Sequence, residues 1–154
     1  MIINEFFATI YEAPSLYSQA LGQHLYGLDP TDPNCQNFTN NCLYNSVGLS
    51  MVLVSIFICF SYYKLIDHPR FNKRKHWFLI LLINAIVNFV IAFYPPYIDL
   101  SNGLICKNII DQVSTFDCVN FGLINVFYST IIFVGFSFIF QLISINSSTT
   151  PNKQ

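Results

Sequence analysis

Three stretches without a formal charge, residues 43–63, 77–94 and 119–145, leave a chain like this few ways to fold. A helix needs about 20 apolar residues to cross the hydrocarbon of a bilayer. The first stretch has 21, and the third is long enough to tilt or to extend past the membrane. Transmembrane helices are therefore expected at 46–63, 77–94 and 119–145. Tyr44, Tyr62, Tyr63, Trp77 and Tyr94 sit at their ends, where amphipathic rings prefer the headgroup level. Pro95-Pro96 is expected to end the second, because proline lacks the amide donor that a helix interior needs. Charge content agrees. A soluble domain carries about 25% charged residues, and this chain carries 10%, with 53% hydrophobic residues, too little charge to coat an aqueous surface. The expected fold class is an all-α integral membrane protein: three transmembrane helices, an N-terminal amphipathic helical segment and two disulfide-tied extracytoplasmic segments.

The loop at 64–76 sets the expected orientation. It holds Lys64, Arg70, Lys73, Arg74 and Lys75, five of the seven Lys and Arg residues, and of the eight acids only Asp67. Short loops rich in Lys and Arg stay on the cytoplasmic side. The N-terminus is then extracytoplasmic and the C-terminus cytoplasmic. A basic loop between two membrane helices is explained by topology, which leaves no need for nucleic acid as a partner. The richness in Phe, Ile and Asn fits an AT-rich bacterial genome, so a bacterial inner (plasma) membrane is the expected location.

Residues 1–30 do not read as a secretory signal peptide, since no Lys or Arg precedes the apolar residues. Ile3, Phe7, Ile10, Pro14, Tyr17, Leu21, His24 and Leu28 recur at threes and fours, the stripe of an amphipathic helix. Pro14 divides it into pieces at Ile2–Glu12 and Ser15–Tyr26, and Gly27 supplies a stop. Residues 31–45 form a turn-rich loop containing the sequon Asn37-Phe38-Thr39. Residues 95–118 form a second loop, with a short helix expected at 104–113, and the Ser-, Thr- and Asn-rich tail 146–154 is expected to be disordered and cytoplasmic.

Cys35 and Cys42 fall in one outer segment and Cys106 and Cys118 in the other, whereas Cys59 lies within a span. Four cysteines on one side of the membrane suggest an oxidising compartment. The favoured pairing is Cys35 with Cys42 and Cys106 with Cys118. Cross-linking between the two outer segments also fits.

Within the spans the notable groups are amides and hydroxyls. Asn84 and Asn88 lie four apart on one helix face, as do Asn125 and Ser129. They serve either as hydrogen-bonding glue between helices or as the lining of a water-filled path in an oligomer. Gly48, Ser50 and Ser55 in the first span, and Gly122, Ser129 and Gly135 in the third, permit close helix approach. No Asp, Glu, Lys, Arg or His lies deep in a span, so a proton relay lacks its usual groups. His24 is expected outside, with His68 and His76 in the inner loop. No metal-ligand spacing, CxxC pair or glycine-rich phosphate loop is present. Asp99, Asp111 and Asp117 read as a solvated outer loop. No catalytic residue, cofactor or metal is expected.

The function expected from the sequence is a non-enzymatic, self-associating structural and interaction subunit of a membrane assembly. Its partners would be membrane lipid, copies of itself, and a cytosolic protein or acidic lipid headgroups at the basic loop. The first alternative is a homo-oligomeric channel lined by Asn84, Asn88, Asn125 and Ser129, and the second is a membrane enzyme.

Overall fold

Helices make up every long element of the computed structural model, which describes residues 2–32, 34–39, 42–65 and 74–143. They are α1 (Ile2–Glu12), α2 (Gln19–Leu25), α3 (Leu43–Phe60) with a π-helical turn (Ser61–Leu65), α4 (Arg74–Ser101), a 3-10 turn (Ile110–Gln112) and α5 (Thr115–Ile143). Pairing of β type among the described residues is limited to an isolated bridge, Leu28 with Phe38. Three segments are long and apolar enough to cross a membrane: Leu43–Lys64, Arg74–Ser101 and Thr115–Gln141. The chain is thus an all-helical, multi-pass membrane protein. Arg70, Lys73, His68 and the tail 146–154 lie outside the described residues.

The local signals that end each helix are visible in the hydrogen bonds. α2 starts at Ser18, whose Oγ accepts the Leu21 amide at 3.3 Å. It stops at Gly27, which adopts a φ of 105° while its amide reaches His24 O and the Leu28 amide reaches Gln23 O. α5 opens on a capping box. The Asp117 amide donates to Ser114 Oγ at 3.3 Å, and the Ser114 amide donates to Asp117 Oδ2 at 2.9 Å.

Two boundaries correct the sequence reading. α4 runs through Pro95 and Pro96 to Ser101 instead of ending at residue 94. Phe89, Phe93 and Tyr97 stack in succession along one face across the Pro-Pro step, at 5.6 and 5.0 Å, and Pro96 is fully buried. Packing on both sides of the step holds the helix where the two missing amide donors weaken it. The actual stop is Gly103, at a φ of 66°, with the Gly103 amide on Leu100 O and the Leu104 amide on Asp99 O. α5 in turn begins at Thr115, four residues earlier than 119, because Ser114 and Asp117 cap it. Between these caps the expected helix at 104–113 contracts to the single 3-10 turn.

The chain divides into two compact units, residues 1–50 with 89–125 and residues 51–88 with 126–154, so α3, α4 and α5 each contribute to both. In the first unit, Tyr11, Tyr44 and Phe121 form a fully buried ring cluster with centroids 5.1–6.0 Å apart. Two glycines make room for rings here. A Cβ at Gly48 would lie 2.3 Å from Phe7 Cδ1, and one at Gly122 would lie 2.8 Å from Phe89 Cε2. In the second unit the core is Cys59, Tyr62, Tyr63, Trp77 and Phe133.

The disulfide pairing is also corrected. Cys35 bonds Cys106, across 71 residues, whereas Cys42 and Cys118 are free and buried. Asp32 explains how Cys35 is presented. Its carboxylate accepts the amides of Asn34, Gln36 and Asn37 at 2.9–3.0 Å, folding the loop so that Cys35 takes a left-handed φ of 53°. Those amides, that of Gln36 foremost, hold the exposed Asp32 carboxyl below the usual carboxylate range. Cys118, by contrast, is fixed in the first turn of α5 and turned into the core.

Gly122→Ala is expected to lower thermal stability in detergent by about 1–3 kcal/mol through overpacking against Phe89. Gly135→Ala, where an added Cβ meets nothing within 4 Å, is expected to be neutral or slightly stabilising. Equal melting temperatures for the two variants would contradict the packing described. Peptide mapping after alkylation without reduction is expected to recover Cys35 linked to Cys106 and alkylated Cys42 and Cys118. A Cys35–Cys42 peptide would contradict the loop geometry.

Candidate functional site

The amide cluster predicted within the spans is assembled from three helices of the second unit. α4 supplies Asn84 and Asn88 on one face, α3 supplies Ser55 and α5 supplies Ser129, and all four are completely buried. Asn88 Nδ2 donates to Asn84 O at 3.0 Å, to Asn84 Oδ1 at 3.1 Å and to Ser55 Oγ at 3.3 Å. Asn84 Nδ2 reaches Ser129 O at 3.4 Å, and Ser129 Oγ donates to Val126 O at 2.9 Å. Polar groups in hydrocarbon have no water to turn to, so these bonds join the three helices. Asn125 belongs to the first unit, where its Oδ1 accepts the Tyr11 hydroxyl. The predicted stripe is therefore engaged in two separate places. Ser55 and Tyr11 are the partners that sequence reasoning did not assign.

A second polar knot of the second unit joins Tyr63, Trp77 and Ser137. Trp77 Nε1 donates to Ser137 Oγ at 2.9 Å, and the Tyr63 hydroxyl meets that oxygen at 2.6 Å. Lys64, Arg74 and Lys75 are exposed on the flanking turns.

The N-terminal segment pairs with carboxylates of the later elements. His24 Nε2 contacts Asp99 Oδ2 at 3.0 Å, with His24 only 7% exposed. His24 Nδ1 is buried and has no hydrogen-bond partner among the described residues. Asp117 accepts the Ser18 amide at 2.9 Å in addition to its capping bonds, so α2 is attached to the start of α5 through one carboxylate. The three acids expected to share a solvated loop thus have separate roles: Asp99 pairs with His24, Asp117 caps α5, and Asp111 sits in the 3-10 turn. No group of three His, Cys, Asp or Glu side chains is placed to hold a metal ion among the described residues.

An open cleft of about 460 Å³ is bordered by the end of α1, the link to α2 and the ring of Phe38. Glu12, Tyr17, Tyr26 and Phe38 are among the residues that line it. Compared with known proteins, the chain matches no family model, no curated protein and no solved structure.

A double-mutant cycle of Ser55→Ala and Asn88→Ala, read by unfolding in mixed micelles, is expected to give a coupling of about 0.6–1.7 kcal/mol. Strict additivity of the two losses would mean that the hydrogen bond contributes nothing.

Proposed function

We propose that this chain is a non-enzymatic structural and interaction subunit of a membrane assembly, one that associates with copies of itself. The observation that carries this reading is the complete burial of Asn84, Asn88, Ser55 and Ser129 against one another. Side chains that hydrogen-bond to one another inside one protomer act as glue. A lumen lining would require those same amides to face an oligomer axis, so their burial favours packing over the channel reading.

The outward faces support the second half of the proposal. Only 22–33% of the residues in each apolar span are buried by the chain itself. Leu49, Leu53 and Phe57 on α3, Leu82, Ile86 and Val90 on α4, and Leu123, Phe127 and Ile131 on α5 point outward. Lipid covers such faces, and so does a second copy. In this reading the protein resides in a bacterial plasma membrane. The Cys35–Cys106 segment is extracytoplasmic, and Lys64, Arg74 and Lys75 are available to a cytosolic protein or to acidic headgroups.

Sedimentation equilibrium in a mild detergent is expected to give a dimer or larger species over a wide concentration range. A monomer throughout would overturn self-association. In planar bilayers the protein is expected to pass no current. A conductance abolished by Asn84→Leu with Asn88→Leu would replace the subunit reading with a pore.

A further inference from the structure

We infer that the cleft bordered by α1 and α2 binds a small organic cation carrying a methylated ammonium group. Its volume, about 460 Å³, falls in the range of small-molecule sites. Among the described residues the lining has one formal charge, the Glu12 carboxylate, and contains no Lys, Arg or His. An anionic ligand therefore has no partner there, whereas a cation does.

The aromatic side chains point to the kind of cation. Tyr17, Tyr26 and Phe38 all border the space. Tyr26 and Phe38 meet edge to face, with centroids 6.0 Å apart and planes at 86°. Aromatic faces attract cations through the ring quadrupole, and methylated ammonium groups, which give up little hydration, exploit this best. The carboxylate on the cleft lining is held in place. The Tyr44 hydroxyl donates to Glu12 Oε1 at 3.2 Å and contacts the Tyr17 hydroxyl at 2.8 Å. Gln19 and Gln23 add amides suited to a hydroxyl or carbonyl on the remainder of the ligand.

Two further features keep the site open and ordered. Gly22 lies beneath the carboxylate: a Cβ there would sit 3.4 Å from Glu12 Oε1 and from Tyr44 Oη, and 3.8 Å from Tyr17 Cε2. Alanine fits, but any longer side chain enters the ligand's space. Phe38 is fixed by the amide of Thr39 on Gly27 O, the amide of Asp29 on Asn37 O and the nearby Cys35–Cys106 bond. A preformed wall lowers the ordering cost of binding. Because no basic side chain among the described residues lines the cleft, a free cation fits better than a zwitterionic lipid headgroup, whose phosphate would face Glu12 without a counter-charge.

Calorimetry on the full chain in a maltoside detergent, with choline as the probe, tests this. Choline is expected to bind saturably. Its neutral isostere 3,3-dimethylbutan-1-ol and the headgroup mimic glycerophosphocholine are expected to bind at least about tenfold more weakly. Glu12→Gln keeps an acceptor for Tyr44 and removes the charge, and Tyr26→Leu removes one ring face. Each is expected to weaken choline binding by about tenfold, with melting temperature and the Cys35–Cys106 cross-link unchanged. Gly22→Leu is expected to abolish binding. Equal affinity for choline and the neutral isostere, or undiminished choline binding by Glu12→Gln, would overturn the proposal. Preference for glycerophosphocholine over choline would overturn the assignment to a free cation.

Discussion

Hydrocarbon offers no hydrogen bonds, and every polar group on the three apolar helices must therefore find its partner in protein. The structure meets this demand at specific points. Asn84 and Asn88 bind each other, Ser55 and a backbone carbonyl of α5; Ser137 gathers the indole of Trp77 and the hydroxyl of Tyr63; Asn125 takes the hydroxyl of Tyr11. Apolar contact alone gives little specificity between helices in lipid, because lipid tails compete for the same faces on nearly equal terms. Directional bonds among a few buried amides and hydroxyls select the register of α3, α4 and α5.

Steric fit explains the glycines. Gly48 and Gly122 sit where aromatic rings cross a helix surface, and a single methyl at either would lie within the ring's contact distance. Gly135 has open space in front of it. Small residues in a membrane helix are thus not equivalent. Two of these three are required by a neighbour, and the third is not.

How much of this was legible in the sequence depended on the range of the signal. The three spans were legible because charge-free length is a property of the chain alone. The face shared by Asn84 and Asn88 was legible because a spacing of four fixes it. The end of α4 was misread because Pro95-Pro96 is a strong local breaker, whereas the stacking of Phe89, Phe93 and Tyr97 that carries the helix past it is a matter of packing. The true stop at Ser101-Asn102-Gly103 and the Ser114-x-x-Asp117 cap were local signals available to be read. The Cys35–Cys106 pairing was not available, since four cysteines permit three connectivities and only the fold of the Asp32 loop chooses among them. The cleft was invisible for a similar reason: Glu12 and Phe38 are 26 positions apart and meet only through tertiary structure.

The N-terminal segment shows what such tertiary ties accomplish. α1 has 11 residues and α2 has seven, lengths at which an isolated helix is marginal in water. Neither helix stands alone. Tyr11 bonds Asn125, the Leu16 carbonyl accepts from Asn120 at 2.7 Å, the Ser18 amide donates to Asp117, and His24 pairs with Asp99. Each tie ends on α4 or α5, helices of 28 and 29 residues. The long helices thus serve as a rigid template, and the short ones are ordered by what they bind. A cleft bounded by α1 and α2 inherits that order, which is why Glu12, at the end of one marginal helix, and Tyr26, just past the end of the other, can border one site.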